Sequence, residues 1–165
     1  MAIEYHFEAS PVLDANGMLG YFADLLGCDE RYEEPGAPAR AFKKEVAVTA
    51  AVWDGEEEPD MAALFGVDRI ASVTFRMNKF LTSEEDAATF RDMVASSAKF
   101  LEDHPGAKGV LSFQYEDIYL LRTENTIVLS DRLSGTDFNV DGVLDALLER
   151  YPKRNLGMVE DLLPR

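Results

Sequence analysis

The sequence predicts an α+β fold, a two-layer sandwich in which a mainly antiparallel sheet of about five to six strands carries helices on one face. Several runs alternate apolar and polar residues with the period of a half-buried strand, while three others repeat apolar residues at helical spacing. The last three strand-like runs follow one another through short turns, as in an antiparallel meander. At 165 residues with 47% apolar side chains, the chain holds material for one core and is expected to form a single domain over 1–165.

The first run sets Ile3, Tyr5 and Phe7 on one side and Glu4, His6 and Glu8 on the other, a strand with one wet face. Ser10-Pro11 offers a cap and a first-turn proline for a helix bearing Met18, Leu19, Phe22, Leu25 and Leu26, closed by Gly27. A turn at Asp14-Ala15-Asn16-Gly17 is the alternative, and it delays the helix start. Residues 28–41, with Pro35, Gly36 and Pro38, read as an exposed irregular loop. Val46, Val48, Ala50 and Val52 give the second strand, residues 61–65 a short helical turn, and Val73, Phe75 and Met77 the third strand. Thr82 with Glu85, or Ser83 with Asp86, starts a long helix whose stripe is Phe90, Met93, Val94, Ser97 and Leu101. His104-Pro105-Gly106 stops it, and strands follow at 110–115, 118–122 and 126–129. Val140, Val143, Leu144, Leu147, Leu148 and Tyr151 predict a last helix ending before Pro152, with an irregular tail from Lys153.

The chain carries 31 acidic and 16 basic residues, a net charge of −15, which disfavours nucleic acid and favours a cationic partner. Residues 1–60 hold 14 of the acids against 4 bases, so the N-terminal third supplies most of the field. No apolar run is long enough to span a membrane. One cysteine excludes an internal disulfide, and the opening MAIEYHFEAS lacks the profile of a secretory signal, so the cytoplasm is the expected compartment.

No motif points to catalysis. The GxSxG elbow, the P-loop and the dinucleotide glycine fingerprint are all missing from the sequence. His6 between Glu4 and Glu8 reads as a solvated strand face more readily than as a weak divalent site, and His104 as a helix stop. Cys28 beside Asp29 and Glu30 is expected to have a raised pKa and to be unreactive. Asp131, Asp137 and Asp141 sit in a loop where capping by Asn139 or Asp141 explains part of the pattern. No catalytic residue, metal or cofactor is therefore expected. What stands out is a set of acids with one aromatic: Glu33, Glu34, Trp53, Asp54, Glu56, Glu57, Glu58, Glu116 and Asp117. Solvation alone accounts for acids in turns, and a core position is the plain alternative for Trp53. As a partner surface, the carboxylates would speed encounter with a basic protein while Trp53 anchors the contact.

The segments Phe65-Gly66-Val67-Asp68, Val73-Thr74-Phe75-Arg76-Met77-Asn78-Lys79 and Gly109-Val110-Leu111-Ser112-Phe113-Gln114-Tyr115-Glu116-Asp117-Ile118-Tyr119-Leu120-Leu121-Arg122, closed by Ile127-Val128-Leu129, carry a resemblance. Over about residues 65–130 the chain is similar to the Sit-type immunity proteins of bacterial polymorphic-toxin systems. In that pattern an Asp commonly precedes the VL-F strand, where this chain has Gly109. The resemblance implies a non-catalytic protein that binds a cognate toxin, here expected to be basic, and occludes it, with Trp53 or Tyr119 against apolar toxin surface. Two other classes remain: a small-molecule-binding or enzymatic α+β domain with a pocket between helices and sheet, and a subunit whose open face, bearing Thr74, Arg76, Ser112 and Gln114, forms a homodimer.

Overall fold

The computed structural model describes residues 3–163. One sheet runs through them in the order β2-β3-β4-β5-β1-β6-β7-β8-β9, every neighbouring pair antiparallel except β8 with β9. The six expected strands are β1 (Ile3–Ala9), β4 (Val46–Asp54), β5 (Arg69–Met77), β6 (Gly109–Phe113), β7 (Asp117–Arg122) and β8 (Val128–Ser130). Three short ones make up the rest: β2 (Glu30–Tyr32), β3 (Arg40–Phe42) and β9 (Lys153–Arg154). Segment 28–41 is thus not wholly irregular, and neither is the tail; strands of two or three residues are too short to display a period.

Helix α1 (Ala15–Leu26) starts at the later of the two expected points, with Asp14 accepting from the Gly17 amide at 2.7 Å. Helix α3 (Ser83–Asp103) has the expected capping box: Thr82 Oγ1 accepts from the Glu85 amide at 3.1 Å, and Glu85 Oε1 from the Thr82 amide at 3.2 Å. His104 closes it, its Nδ1 lying 2.8 Å from the Phe100 carbonyl. The last helix is shorter than its apolar spacing predicts. Asp141 (φ 52°) and Gly142 (φ 73°) take left-handed conformations, so residues 140–142 form a separate 3-10 turn and helix α4 covers only Asp145–Arg150. Asn139, expected as a helix cap, does not cap the turn it precedes; its Oδ1 accepts from the Leu144 amide, just ahead of α4, at 2.7 Å.

Helices α1 and α3 cover one face of the sheet, where Phe7, Phe22, Phe75 and Phe100 are fully buried with ring centroids 5.5–5.8 Å apart. Gly109 lies under this cluster: a Cβ there would sit 2.9 Å from Leu101 Cδ2 and 3.1 Å from the Phe7 ring. That approach explains why this chain has no side chain at that position. The opposite face is not left to solvent. Helix α2 (Pro59–Phe65) and residues 156–159 form a second, smaller apolar layer in which Met61, Phe65, Ile70, Val110, Ile118, Leu121, Leu156 and Val159 pack together. Between β6 and β7 the register shifts so that Leu111 opposes Leu120 and Ser112 opposes Ile118. Tyr119 is the extra residue, and it turns to the helix side together with Leu120.

Candidate functional site

Because β1, β4 and β5 share one register, with Ala9 opposite Ala71 and Ala71 opposite Val52, the loops following β1 and β4 emerge at the same end of the sheet. Seven of the nine expected partner residues gather there. Glu33 and Glu34, in the exposed β2–β3 loop, share with Trp53 a surface depression of about 750 Å³ floored by Ala50, Ala51 and Val52. Trp53 is 38% exposed, so it is a surface residue and not a core one. Asp54 and Glu56 line the adjoining hollow with Asp68, and Asp54 lies 3.8 Å from Arg69. The acidic loop is pinned: the Gly55 amide donates to the Asp68 carbonyl at 2.6 Å and the Glu57 amide to the Asp54 carbonyl at 2.9 Å. Only glycine permits this approach, since a Cβ at 55 would lie 2.9 Å from the Asp68 carbonyl oxygen.

Glu56 and Glu57 face solvent, whereas Glu58 is half-buried at the start of α2. Burial, with Asp60 and Glu57 beside it, pushes the Glu58 carboxyl above its ordinary range. Glu116 and Asp117 stand apart from this group, at the other end of the sheet, where Asp117 pairs with Arg132 at 2.9 Å. Tyr119, expected as an alternative aromatic anchor, is 4% exposed and packs among Tyr5, Phe90 and Phe138. It is removed from the surface by the β-bulge that turns it inward.

The face expected to be wet holds a buried polar cluster. His6 is 5% exposed and Glu8 1%, because α2 and its apolar layer lie over the end of β1. His6 Nδ1 is hydrogen-bonded to Thr74 Oγ1 at 3.1 Å, its Nε2 is 3.9 Å from Glu4, and its ring stacks on Tyr115 at 3.8 Å. Tyr115 reaches back from a turn in which both it and Gln114 have positive φ (61° and 50°). Burial lowers the His6 pKa against the opposing pull of Glu4, so His6 is neutral at pH 7. Glu8 has no hydrogen-bond partner among the described residues, and burial followed by the Glu58 charge pushes its carboxyl up to about 8. The face expected to mediate dimerisation is correspondingly closed at Ser112, which is 1% exposed, and Thr74 is engaged by His6.

Sequence reasoning missed this cluster. The signal was the apolar content of residues 61–65 and 156–162, which must bury itself against something. Cys28 behaves as expected, its thiol pKa raised, with burial the leading cause and Asp29 adding to it against Lys43 and Arg31. Among the described residues no group of three His, Cys, Asp or Glu side chains is arranged to hold a metal ion, and no helix is long and apolar enough to cross a membrane.

Compared with known families, residues 3–136 match the family model described as SitI3-like. Neither the curated proteins nor the solved structures yield a match.

Proposed function

The chain belongs to the SitI3-like family, and from that premise we propose that it is a non-catalytic immunity protein that binds and neutralises a cognate toxin of a bacterial polymorphic-toxin system. The observation that carries this reading is the convergence of Glu33, Glu34, Asp54, Glu56 and Glu57 around an exposed Trp53 at one end of the sheet. Carboxylates held on a pinned loop attract a basic surface over several ångströms and hold their position on contact. Trp53 supplies the large, rigid apolar area that typically dominates interface energetics. A toxin that acts on nucleic acid presents Lys and Arg where phosphates bind, and this acidic end would occupy that place. The protein acts in the cytoplasm as one folding unit, without a cofactor.

Co-expression with the toxin-like reading frame beside its gene tests the proposal. The wild-type chain should restore growth, and a Glu56→Lys/Glu57→Lys variant should fail to do so while retaining its thermal midpoint. Equal protection by the variant would remove the acidic end from the interface. No protection by the wild type, together with saturable turnover of a metabolite, would overturn the immunity reading itself.

A further inference from the structure

At the end of the sheet remote from the acidic loop, basic side chains gather in one cleft, with Glu4, Glu45 and Glu85 interspersed among them. Strand β4 spans nine residues, so its two ends lie roughly 27 Å apart at the usual rise of an extended strand. Five of the chain's 16 basic residues, Arg40, Lys43, Lys44, Arg76 and Lys79, line one cleft of about 730 Å³ between the β3–β4 turn and the loop after β5. Arg40, Lys43 and Arg76 form no ion pair among the described residues. Glu4 is opposite Arg76 in the ladder and 3.9 Å from His6, Lys44 is held by Glu85 at 2.5 Å, and the Lys79 ammonium lies 5.8 Å from the Phe80 ring centroid. The floor is apolar, formed by Ile3, Val46 and Met77, and Phe80 stands at the rim with 83% of its surface exposed.

The cleft is braced. Asn78 Nδ2 donates to the Lys44 carbonyl, the Asn78 amide to the Glu45 carbonyl and the Phe80 amide to Asn78 Oδ1, each at 2.9 Å. These bonds fix the loop carrying Lys79 and Phe80 against the turn carrying Lys43 and Lys44. Unneutralised cations beside a fixed, exposed aromatic add nothing to the core. In a chain with 31 acids against 16 bases, they are a local arrangement that general solubility does not explain.

We propose that this cleft binds an acidic peptide segment of a protein partner, its carboxylates on Arg40, Lys43 and Arg76 and an apolar side chain against Phe80 and Met77. The inference goes beyond the toxin-binding reading and uses none of its residues. A nucleic acid is the poorer occupant, because a long polyanion leaving the cleft meets the field of a chain with net charge −15. A second copy offering its own acidic loop is also poorer. Acidic and basic ends are different surfaces, so that contact would be heterologous and would propagate into rings or open chains, not the commoner two-fold dimer.

Fluorescence anisotropy tests the proposal with a fluorescein-labelled peptide of alternating Asp and Glu around a central Leu-Phe pair, titrated at low salt. Saturable binding in the micromolar range is expected, weakened about tenfold or more by Lys43→Glu/Arg76→Glu and about threefold or more by Phe80→Ala. These side chains are solvent-facing or at the rim, so circular dichroism and the thermal midpoint should stay at wild-type values. Absence of saturable binding, or equal binding by the variants, overturns the proposal. Tighter binding of a labelled single-stranded oligothymidine through the same residues overturns it in favour of nucleic acid. Concentration-dependent sedimentation of the chain alone, abolished by Lys43→Glu/Arg76→Glu, overturns it in favour of a second copy.

Discussion

On the helix-covered face of the sheet, Phe7 and Phe75 meet Phe22 of α1 and Phe100 of α3 ring to ring, and the polar rings packed on them, Tyr21 and His104, have hydrogen-bond partners in Asp103 and the Phe100 carbonyl. On the opposite face the same strands carry His6, Glu8, Ser72 and Ser112 under a cap built from seven-residue α2 and the segment around Leu156 and Val159. The first arrangement excludes water around groups that gain by it. The second buries a carboxyl without a partner, which costs stability. The difference teaches where this molecule has freedom to vary. The helix side sets the fold, and the cap side holds polar groups that a core optimised for stability would replace. The acidic loop leads straight into that cap, since Glu58 immediately precedes α2, so the proposed binding surface is attached to the face that buries the unpartnered carboxyl.

The largest effect that sharpens this contrast is expected on the helix side. Phe100→Ala should lower unfolding free energy by about 3–5 kcal/mol in urea titrations, because the void lies between two helices and a sheet that cannot collapse into it. A loss under about 1 kcal/mol would show that the face repacks freely.

Next in size is the pH dependence of the cap side. The Glu8 carboxyl titrates near 8 in the fold against an ordinary 4.5, so between those values the unfolded chain binds fewer protons than the native one. Glu8 therefore favours the fold at low pH, and its contribution is lost as pH rises from about 4.5 to 8, at up to about 1.4 kcal/mol per unit. Glu8→Gln should flatten that slope and leave the protein more stable than wild type at pH 8, measured by urea unfolding at a series of pH values. His6, its pKa lowered by burial, acts in the opposite sense and loses stability as pH falls below the ordinary imidazole range. A slope unchanged in Glu8→Gln would mean that water already reaches the carboxyl. A third variant isolates the cap: Met61→Ala should admit water above Glu8 and reduce the same slope, which titration of Met61→Ala against Met61→Ala/Glu8→Gln would read as a smaller difference between the pair. The smallest effect on stability belongs to Trp53→Ala, expected within about 1 kcal/mol of wild type because the ring is already at the surface, while affinity for the toxin falls at least about tenfold.

Much of the helix side was legible in the sequence. The alternation of Ile3, Tyr5 and Phe7, the stripe of α3 and the Thr82–Glu85 capping box are local patterns, and each appears where its period places it. The cap side was not legible, because period two says only that His6 and Glu8 face away from Phe7. What lies over them is decided by α2, some fifty residues later, and by Leu156 and Val159 near the other end of the chain. The last helix misled for a local reason: Val140, Val143 and Leu144 keep helical spacing across Asp141 and Gly142, whose left-handed backbone breaks the helix between them. Of the acidic set, Glu33, Glu34 and Asp54 through Glu58 converge because the loops after β2 and β4 exit at one end of the sheet. Glu116 and Asp117, equally acidic in sequence, exit at the other. The basic cleft was hidden by averaging: its cations come from residues 40–44 and 76–79, and those at 40–44 fall within the most acidic third of the chain.

The association rate constant of the purified chain with its toxin, followed by stopped-flow fluorescence across ionic strength, tests the proposed binding end most directly. Steering by the pinned carboxylates predicts a wild-type rate that falls about tenfold or more from low to high salt, and a Glu56→Lys/Glu57→Lys rate that starts low and barely changes. Superimposable rates and salt slopes for the two proteins would contradict the account and move the interface elsewhere on the molecule.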